Sequence, residues 1–356
     1  MIILLLLLGG FIFFQRGFLS SQTQHESKTG VVENLVGGVL DTVNPLSIAS
    51  LRKTEFSGSD IVIEETLSSG SNYDRFIASY QSEGLKIYAL LTVPQGARPE
   101  NGWPVVIFNH GYIPPAEYRT TERYIAYTDG FSRNGYVVFR SDYRGHGSSE
   151  GQAAGGYGSN AYTVDVLNGL ASVKKLKSST INGSDGNALV VDPNNIGMWG
   201  HSMGGFITLR SMVVSKEIKA GVIWGGVVAS YPDLIANWRR GPRANVSPSP
   251  LPSGARRWRD ALQEEHGDPA SNPAFWNSIS ANYFIDDISG PLQLHHGSLD
   301  ESVPVEFSQN LEKELQGKGK TVEYYEYPGD DHDITANFSA AIQRSVAFFD
   351  RYSKNN

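Results

Sequence analysis

The stretch Asn195-Ile-Gly-Met-Trp-Gly-His-Ser-Met-Gly-Gly-Phe206 decides how the rest of the chain is read. Ile196 to Trp199 have the composition of a buried strand end, and Phe206 to Val214 form an apolar run of helical length. Between them, Gly200-His-Ser-Met-Gly204 fits the pattern G-x-S-x-G. A serine on so sharp a strand-to-helix turn takes strained backbone angles, so its neighbours must be small. Gly200, Gly204 and Gly205 meet that need. The turn lifts the Ser202 hydroxyl clear of the sheet and sets it at a helix N-terminus, where negative charge is favoured. Ser202 is therefore the candidate nucleophile. A solvated serine in an ordinary tight turn is the competing reading, and it leaves the downstream residues unexplained.

Outward from this turn, strands and helices alternate. Upstream, Ile61–Leu67, Asp74–Gln81 and Leu85–Val93 read as antiparallel strands, separated by Ser69-Gly-Ser-Asn72 and Ser82-Glu-Gly84. Val105–Asn109 and Tyr136–Ser141 read as strands, and Glu117–Asn134 and Asn160–Lys177 as helices. Downstream, Ala220–Val228 is an apolar strand. Residues 291–352 then repeat strand, helix, strand, helix, with helices over Val305–Leu315 and Asn337–Tyr352. Such alternation predicts an α/β fold with a mostly parallel sheet covered on both faces, its site at the carboxyl ends of the strands. Residues 230–289 break the pattern, being too long for a simple crossover. They carry Trp238, Trp258 and Trp276 and read as a lid over the site, with the three tryptophans as candidate pocket residues.

The 356 residues allow a large core. With 30 basic and 37 acidic residues the formal charge is -7, which argues against nucleic acid as a partner. Absence of cysteine excludes disulfides and thiolate chemistry. The uncharged segment Ile2–Phe14 is too short for a comfortable membrane span and suits an export signal or anchor. The expected organisation is an apolar segment over 1–19, a polar tether over 20–59, and a catalytic domain over 60–356. Export with possible N-terminal membrane attachment follows as an expectation.

A nucleophilic serine needs a base within hydrogen-bond reach and a carboxylate to orient it. In this fold the chain order is serine, acid, histidine. His332, in Gly329-Asp-Asp-His-Asp333, is the only histidine after residue 296. The acid belongs in the loop after the preceding strand, where Asp300 is the natural choice and Glu301 the competitor. Asp330, Asp331 and Asp333 read as turn residues. The oxyanion donors are the N–H groups of Met203, next to the nucleophile, and of Tyr112 in His110-Gly111-Tyr112. The Tyr112 hydroxyl either adds a hydrogen bond or packs under the lid. His295 and His296 are adjacent on a strand, face opposite ways and cannot share a metal. His201 is expected to pack beneath the turn. Gly151–Gly158 lacks the residues of a phosphate loop. The arginines at 239, 240, 243, 256, 257 and 259 could grip a carboxylate, although such a run is more often a solvated face.

As a set, Asn109-His-Gly-Tyr112, Asp142-Tyr-Arg-Gly-His-Gly147, Gly200-His-Ser-Met-Gly-Gly205, His296-Gly-Ser-Leu-Asp300-Glu-Ser-Val-Pro304 and Pro328-Gly-Asp-Asp-His332 resemble the α/β-hydrolase superfamily. More narrowly, they are similar to the catalytic domain of the prolyl oligopeptidase (S9) serine peptidases and related esterases, over roughly Asp60–Tyr352. The resemblance implies Ser202 as nucleophile, Asp300 as acid, His332 as base and Tyr112 and Met203 at the oxyanion hole, with no cofactor. The substrate would be a small molecule or short peptide. Full prolyl oligopeptidases carry a β-propeller ahead of the catalytic domain, and here about sixty residues precede the first strand. Peptide and ester cleavage use the same residues, so both stay open. A non-catalytic binding protein would show a lost triad member, and none is lost.

Overall fold

The computed structural model describes residues 44–178, 181, 183, 184, 186, 188–238 and 253–354. The expected signal or anchor segment over 1–19 and the tether up to residue 43 lie outside them. No helix among the described residues is long and apolar enough to cross a membrane.

The described strands are β1 (Val62–Leu67), β2 (Tyr73–Ser82), β3 (Leu85–Pro94), β4 (Trp103–Asn109), β5 (Val137–Ser141), β6 (Val191–His201), β7 (Ala220–Trp224), β8 (Leu292–Gly297) and β9 (Val322–Tyr327). They form one 9-stranded sheet in the order β1-β2-β3-β5-β4-β6-β7-β8-β9. The first three strands and the β3–β5 pair are antiparallel, and the remaining pairs are parallel. Ser82 pairs with Leu85 across the two-residue turn Glu83-Gly84, where φ is 50° and 79°. Two successive left-handed residues give that turn the twist a hairpin needs.

The inner strands β4, β5, β7 and β8 are buried along almost their whole length because both faces are covered, whereas the edge strand β9 is only partly buried. Alternate residues part to opposite sides. Val105 and Ile107 of β4 join a core under α3 (Ala161–Lys174) and α4 (Met203–Val214), while Val106 and Phe108 join a second core under α2 (Ile125–Ser132) and α9 (Phe338–Phe349). After β4 the chain moves outward to β5, and after β6 it moves the other way to β7. The carboxyl ends of β4 and β6 thus flank the point where the winding reverses, which is where such sheets open a crevice.

Two expectations change. Residues 44–59 were expected in the tether, but the described part packs on the domain. Helix α1 (Ile48–Lys53) starts on the Ser47 hydroxyl, which accepts from the Ser50 N–H at 3.0 Å, and buries Ile48 and Leu51. Arg52 donates to the Val213 carbonyl at 3.0 and 2.7 Å and pairs with Asp287 at 2.9 Å. A six-residue helix with two apolar contacts gives no periodicity to read. The helix expected over Glu117–Asn134 begins only at Ile125. The buried Arg140 of β5 takes the carbonyls of Thr120, Glu122 (3.2 Å) and Arg123 (2.8 Å), so these groups are withdrawn from helical bonding.

Residues 230–289 form α5 (Tyr231–Asn237), α6 (Ser253–His266), α7 (Pro273–Ile279) and a 3₁₀ turn over Ala281–Asp287. Residues 239–252, with three of the arginines, lie outside the described residues. Helix α8 (Glu306–Gly317) follows β8.

Leu51→Ala should cost about 2–5 kcal/mol of stability, the usual range for a buried leucine. Urea unfolding measures it, and a loss below about 0.5 kcal/mol, the range of an exposed position, would return residues 44–59 to a tether.

Candidate active site

Ser202 follows the last residue of β6 and has φ 54° and ψ −118°, a strained conformation for a residue with a Cβ. Its N–H donates to the Trp224 carbonyl at 3.0 Å, and its own carbonyl accepts from Gly205 at 3.0 Å and Val227 at 3.1 Å. The turn therefore hangs between β7 and α4. A Cβ on Gly204 would lie 1.9 Å from the Asn109 carbonyl oxygen, and one on Gly200 would lie 2.3 Å from the Gly204 carbonyl oxygen. The glycines are needed because backbone meets backbone here.

Asp300 and His332 come from the loops after β8 and β9. His332 Nδ1 lies 2.6 Å from Asp300 Oδ2. The side chain of Asp300 is buried, and its Oδ1 accepts from the N–H groups of Ser302 (2.7 Å) and Val303 (2.9 Å). A second histidine, His296, sits 3.0 Å from Oδ2, its Nδ1 held by Ser308 at 2.7 Å. Burial alone would push the Asp300 carboxyl up, but the hydrogen bonds from His296 and His332 hold it well below the usual carboxylate range. Gly225 completes the fit, since a Cβ there would lie 3.0 Å from His332 Nδ1. Glu301, the competing acid, is exposed. Asp330 accepts from the Ala336 and Asn337 N–H groups ahead of α9, and Asp331 from Asp333 and Thr335, both turn roles.

Ser202 and His332 line a common cavity of about 540 Å³ with Tyr112, Tyr127, Asp333 and Thr335. Ser202 also lines a second cavity of about 600 Å³, with Tyr112, Met203, Tyr157, Trp238 and Trp258. Tyr112 and Met203, expected at the oxyanion hole, thus both stand beside Ser202. The three tryptophans divide. Trp238 and Trp258 line the second cavity, whereas Trp276 is fully buried elsewhere, its indole N–H on the Gly267 carbonyl at 3.0 Å. Arg259 stacks on Trp238 and Trp258, at 5.3 and 5.2 Å from their ring centres, instead of forming a solvated face. The glycine-rich stretch set aside for lack of a phosphate motif supplies a wall of this cavity through Gly155–Gly158.

His295 bonds Tyr327 (2.8 Å) and Gln293 (2.7 Å), away from His296. Among the described residues no group of three or more His, Asp or Glu side chains could hold a metal ion. Two contributors escaped the sequence reading. His296 stands four positions before Asp300, a spacing with a signal only once the intervening turn is known. Tyr124 places its hydroxyl 2.9 Å from the Gly111 nitrogen and 2.7 Å from His201 Nδ1, through two successive left-handed residues that no pattern announced.

Comparison with known proteins accords with this geometry. The profile of the prolyl oligopeptidase family, peptidase S9, matches residues 124–356. A probable dipeptidyl-aminopeptidase B of Coccidioides posadasii is 24% identical over 264 residues, covering 72% of this chain and 25% of the relative. The chain thus spans about a quarter of the length of the curated relatives it matches. Among solved structures, Pyrococcus horikoshii acylaminoacyl peptidase superposes with a TM-score of 0.59 at 20% identity, over 80% of this chain and 43% of that one. Acetyl xylan esterase 1 from Thermoanaerobacterium sp. JW/SL YS485 gives 0.57 at 15% identity, over 85% and 90%. A profile match over more than half of the chain and an α/β-hydrolase sheet carrying a serine turn lead to one conclusion: the chain belongs to the prolyl oligopeptidase family of serine hydrolases.

Proposed function

We propose that the protein cleaves acyl bonds of small molecules or short peptides through a Ser202–His332–Asp300 triad and an acyl-enzyme, as a prolyl-oligopeptidase-like serine peptidase. The observation that carries this reading is the 2.6 Å His332–Asp300 contact opening onto the cavity that Ser202 lines. An ionised carboxylate can only accept, so Nδ1 of His332 carries the proton and Nε2 keeps a free lone pair. That lone pair takes the Ser202 hydroxyl proton as Oγ attacks the carbonyl carbon. The N–H groups of Tyr112 and Met203 receive the oxyanion, each contributing roughly 3 kcal/mol in the transition state. The His332 proton then passes to the leaving group, and water repeats the sequence to free the acid. No step requires a cofactor.

The two cavities divide the substrate. The leaving group must meet His332, so it lies in the cavity that His332 lines. The acyl group lies opposite, between Met203, Tyr157, Trp238 and Trp258, and is apolar or aromatic. The wider names of the relatives, dipeptidyl-aminopeptidase and acylaminoacyl peptidase, favour an amide bond. A carboxylesterase acting on small esters is the second reading, because an alkoxide leaves through the same residues more readily than an amine. The apolar run Ile2–Phe14 supports an exported or membrane-tethered location, which fractionation of the full-length protein would test.

Ser202→Ala should lower kcat by about 10⁴-fold or more and abolish labelling by a fluorophosphonate, with the fold retained. Retained turnover of an activated ester would remove Ser202 from the role of nucleophile. Asp300→Asn should be severe, because an amide no longer holds the imidazole in the right tautomer, and Glu301→Gln mild. The reverse ranking would move the acid to Glu301.

The low position of the Asp300 carboxyl sets the sign of its pH effect. A depressed carboxyl stabilises the fold above the ordinary aspartate range near 4, and this is lost only as pH falls towards the folded-state value. Asp300 is therefore ionised above the ordinary aspartate range. Above about pH 4 the profile of kcat/KM should therefore show no step from protonation of Asp300. Two separate acid limbs in the wild type would show that Asp300 titrates in the working range.

Comparison of kcat/KM for matched esters and aminoacyl anilides separates the two substrate readings. Trp238→Ala should depress cleavage of aromatic acyl esters and spare acetyl esters. Equal loss on both would move the acyl group out of the second cavity.

A further inference from the structure

We propose that Tyr124 and His201 are positioning residues, forming a hydrogen-bonded relay that fixes the Tyr112 N–H and the His332 loop relative to Ser202. This inference rests on the serine hydrolase reading above and concerns what holds its parts in register.

The relay has three links. The Gly111 nitrogen is 2.9 Å from the Tyr124 hydroxyl, that hydroxyl is 2.7 Å from His201 Nδ1, and His201 Nε2 is 3.1 Å from the His332 carbonyl oxygen. The direction of each bond is forced. A carbonyl only accepts, so His201 Nε2 carries a hydrogen. Burial, followed by the neighbouring His332, pushes the His201 imidazole down to about 3, so the ring is neutral and Nδ1 has a lone pair. The Tyr124 hydroxyl must then donate to Nδ1, which leaves its oxygen to accept from the Gly111 N–H. Every donor has one acceptor, and reversing any link would leave two donors or two acceptors face to face.

The ends of the relay are the parts that catalysis must align. Gly111 immediately precedes Tyr112, whose N–H is the proposed second oxyanion donor. The far end is the backbone of His332 itself, and its ring packs 4.5 Å from that of His201 between centres. The middle member, His201, is the residue before Ser202. Oxyanion loop, nucleophile and base loop thus share one chain of bonds, which an error of about 1 Å in any of them would make costly.

The surroundings are built to hold it. Arg123 and Tyr124 adopt φ of 53° and 52°, a strained pair held by the grip of Arg140 on the Glu122 and Arg123 carbonyls. This is what aims the phenol inward. At Gly111 a Cβ would lie 2.6 Å from the Tyr124 oxygen, 3.1 Å from Ser202 Cβ and 3.3 Å from His201 Nδ1, so glycine is required for the relay to close.

The test compares Tyr124→Phe, His201→Leu and His201→Gln with the wild type, taking kcat per fluorophosphonate-reactive site, KM on an activated ester, and the thermal midpoint. Phenylalanine keeps the ring and removes the link, and leucine removes both links. Glutamine carries an acceptor oxygen and a donor NH2 group and can rebuild them. Tyr124→Phe and His201→Leu should lower kcat by about 10- to 100-fold with KM within about twofold, and His201→Gln should recover most of the loss. Wild-type kcat per reactive site in Tyr124→Phe would overturn the relay. So would a His201→Gln variant no better than His201→Leu, or a loss confined to KM or to the number of reactive sites. Absence of labelling in the wild type would overturn the serine hydrolase reading itself, and the relay with it.

Discussion

The first turn of α4 passes so near the end of β4 that a methyl group on Gly204 would meet the Asn109 carbonyl at 1.9 Å. Much of the structure depends on that contact. It requires β4 and β6 to be neighbours, which the order of the sheet provides, and it requires Ser202 to turn through a left-handed conformation instead of easing into the helix. Once both hold, the loop leaving β4 stands beside the serine, and the helix N-terminus faces it. Strain at Ser202 is held by the backbone bonds from β7 and from the first turn of α4.

The charge arrangement follows from the same edge of the sheet. Asp300 is buried between two histidines and two backbone N–H groups, so the loop that carries it is closed on its own carboxylate. Burial without these partners would push the carboxyl up, towards a neutral form that donates as well as accepts, and the bonds from His296 and His332 oppose that push. His296 therefore matters to the site without facing the substrate.

The walls of the site come from places with little in common in the sequence. The glycine-rich loop after β5, the ends of α5 and α6 and the start of α4 enclose one cavity, and the loops before α2 and α9 enclose the other. Arg140 connects the second set to the core. By taking three carbonyls ahead of α2 it shortens that helix and leaves Tyr124 where its hydroxyl can reach the serine turn. A buried cation in a strand thereby shapes the surface of the site.

What the sequence determined by itself was whatever depends on near neighbours. The glycines around Ser202, the two-residue turn at Glu83-Gly84 and the strand–helix alternation all follow from steric demands acting within a few residues. The succession of Ser202, Asp300 and His332 was legible because each sits at the end of a strand, and strand ends of a parallel sheet share one edge. The rest was decided by tertiary structure. Ile48 and Leu51 look like part of a polar tether until α4 is there to receive them, Trp276 looks like Trp238 and Trp258 until burial separates them, and Glu117–Asn134 looks helical until Arg140 competes for its carbonyls. The meeting of Tyr124 with His201, seventy-seven positions apart, was invisible for the same reason: hydrogen bonds between distant residues leave no period or spacing in a chain, and exist only when the sheet has set their loops side by side.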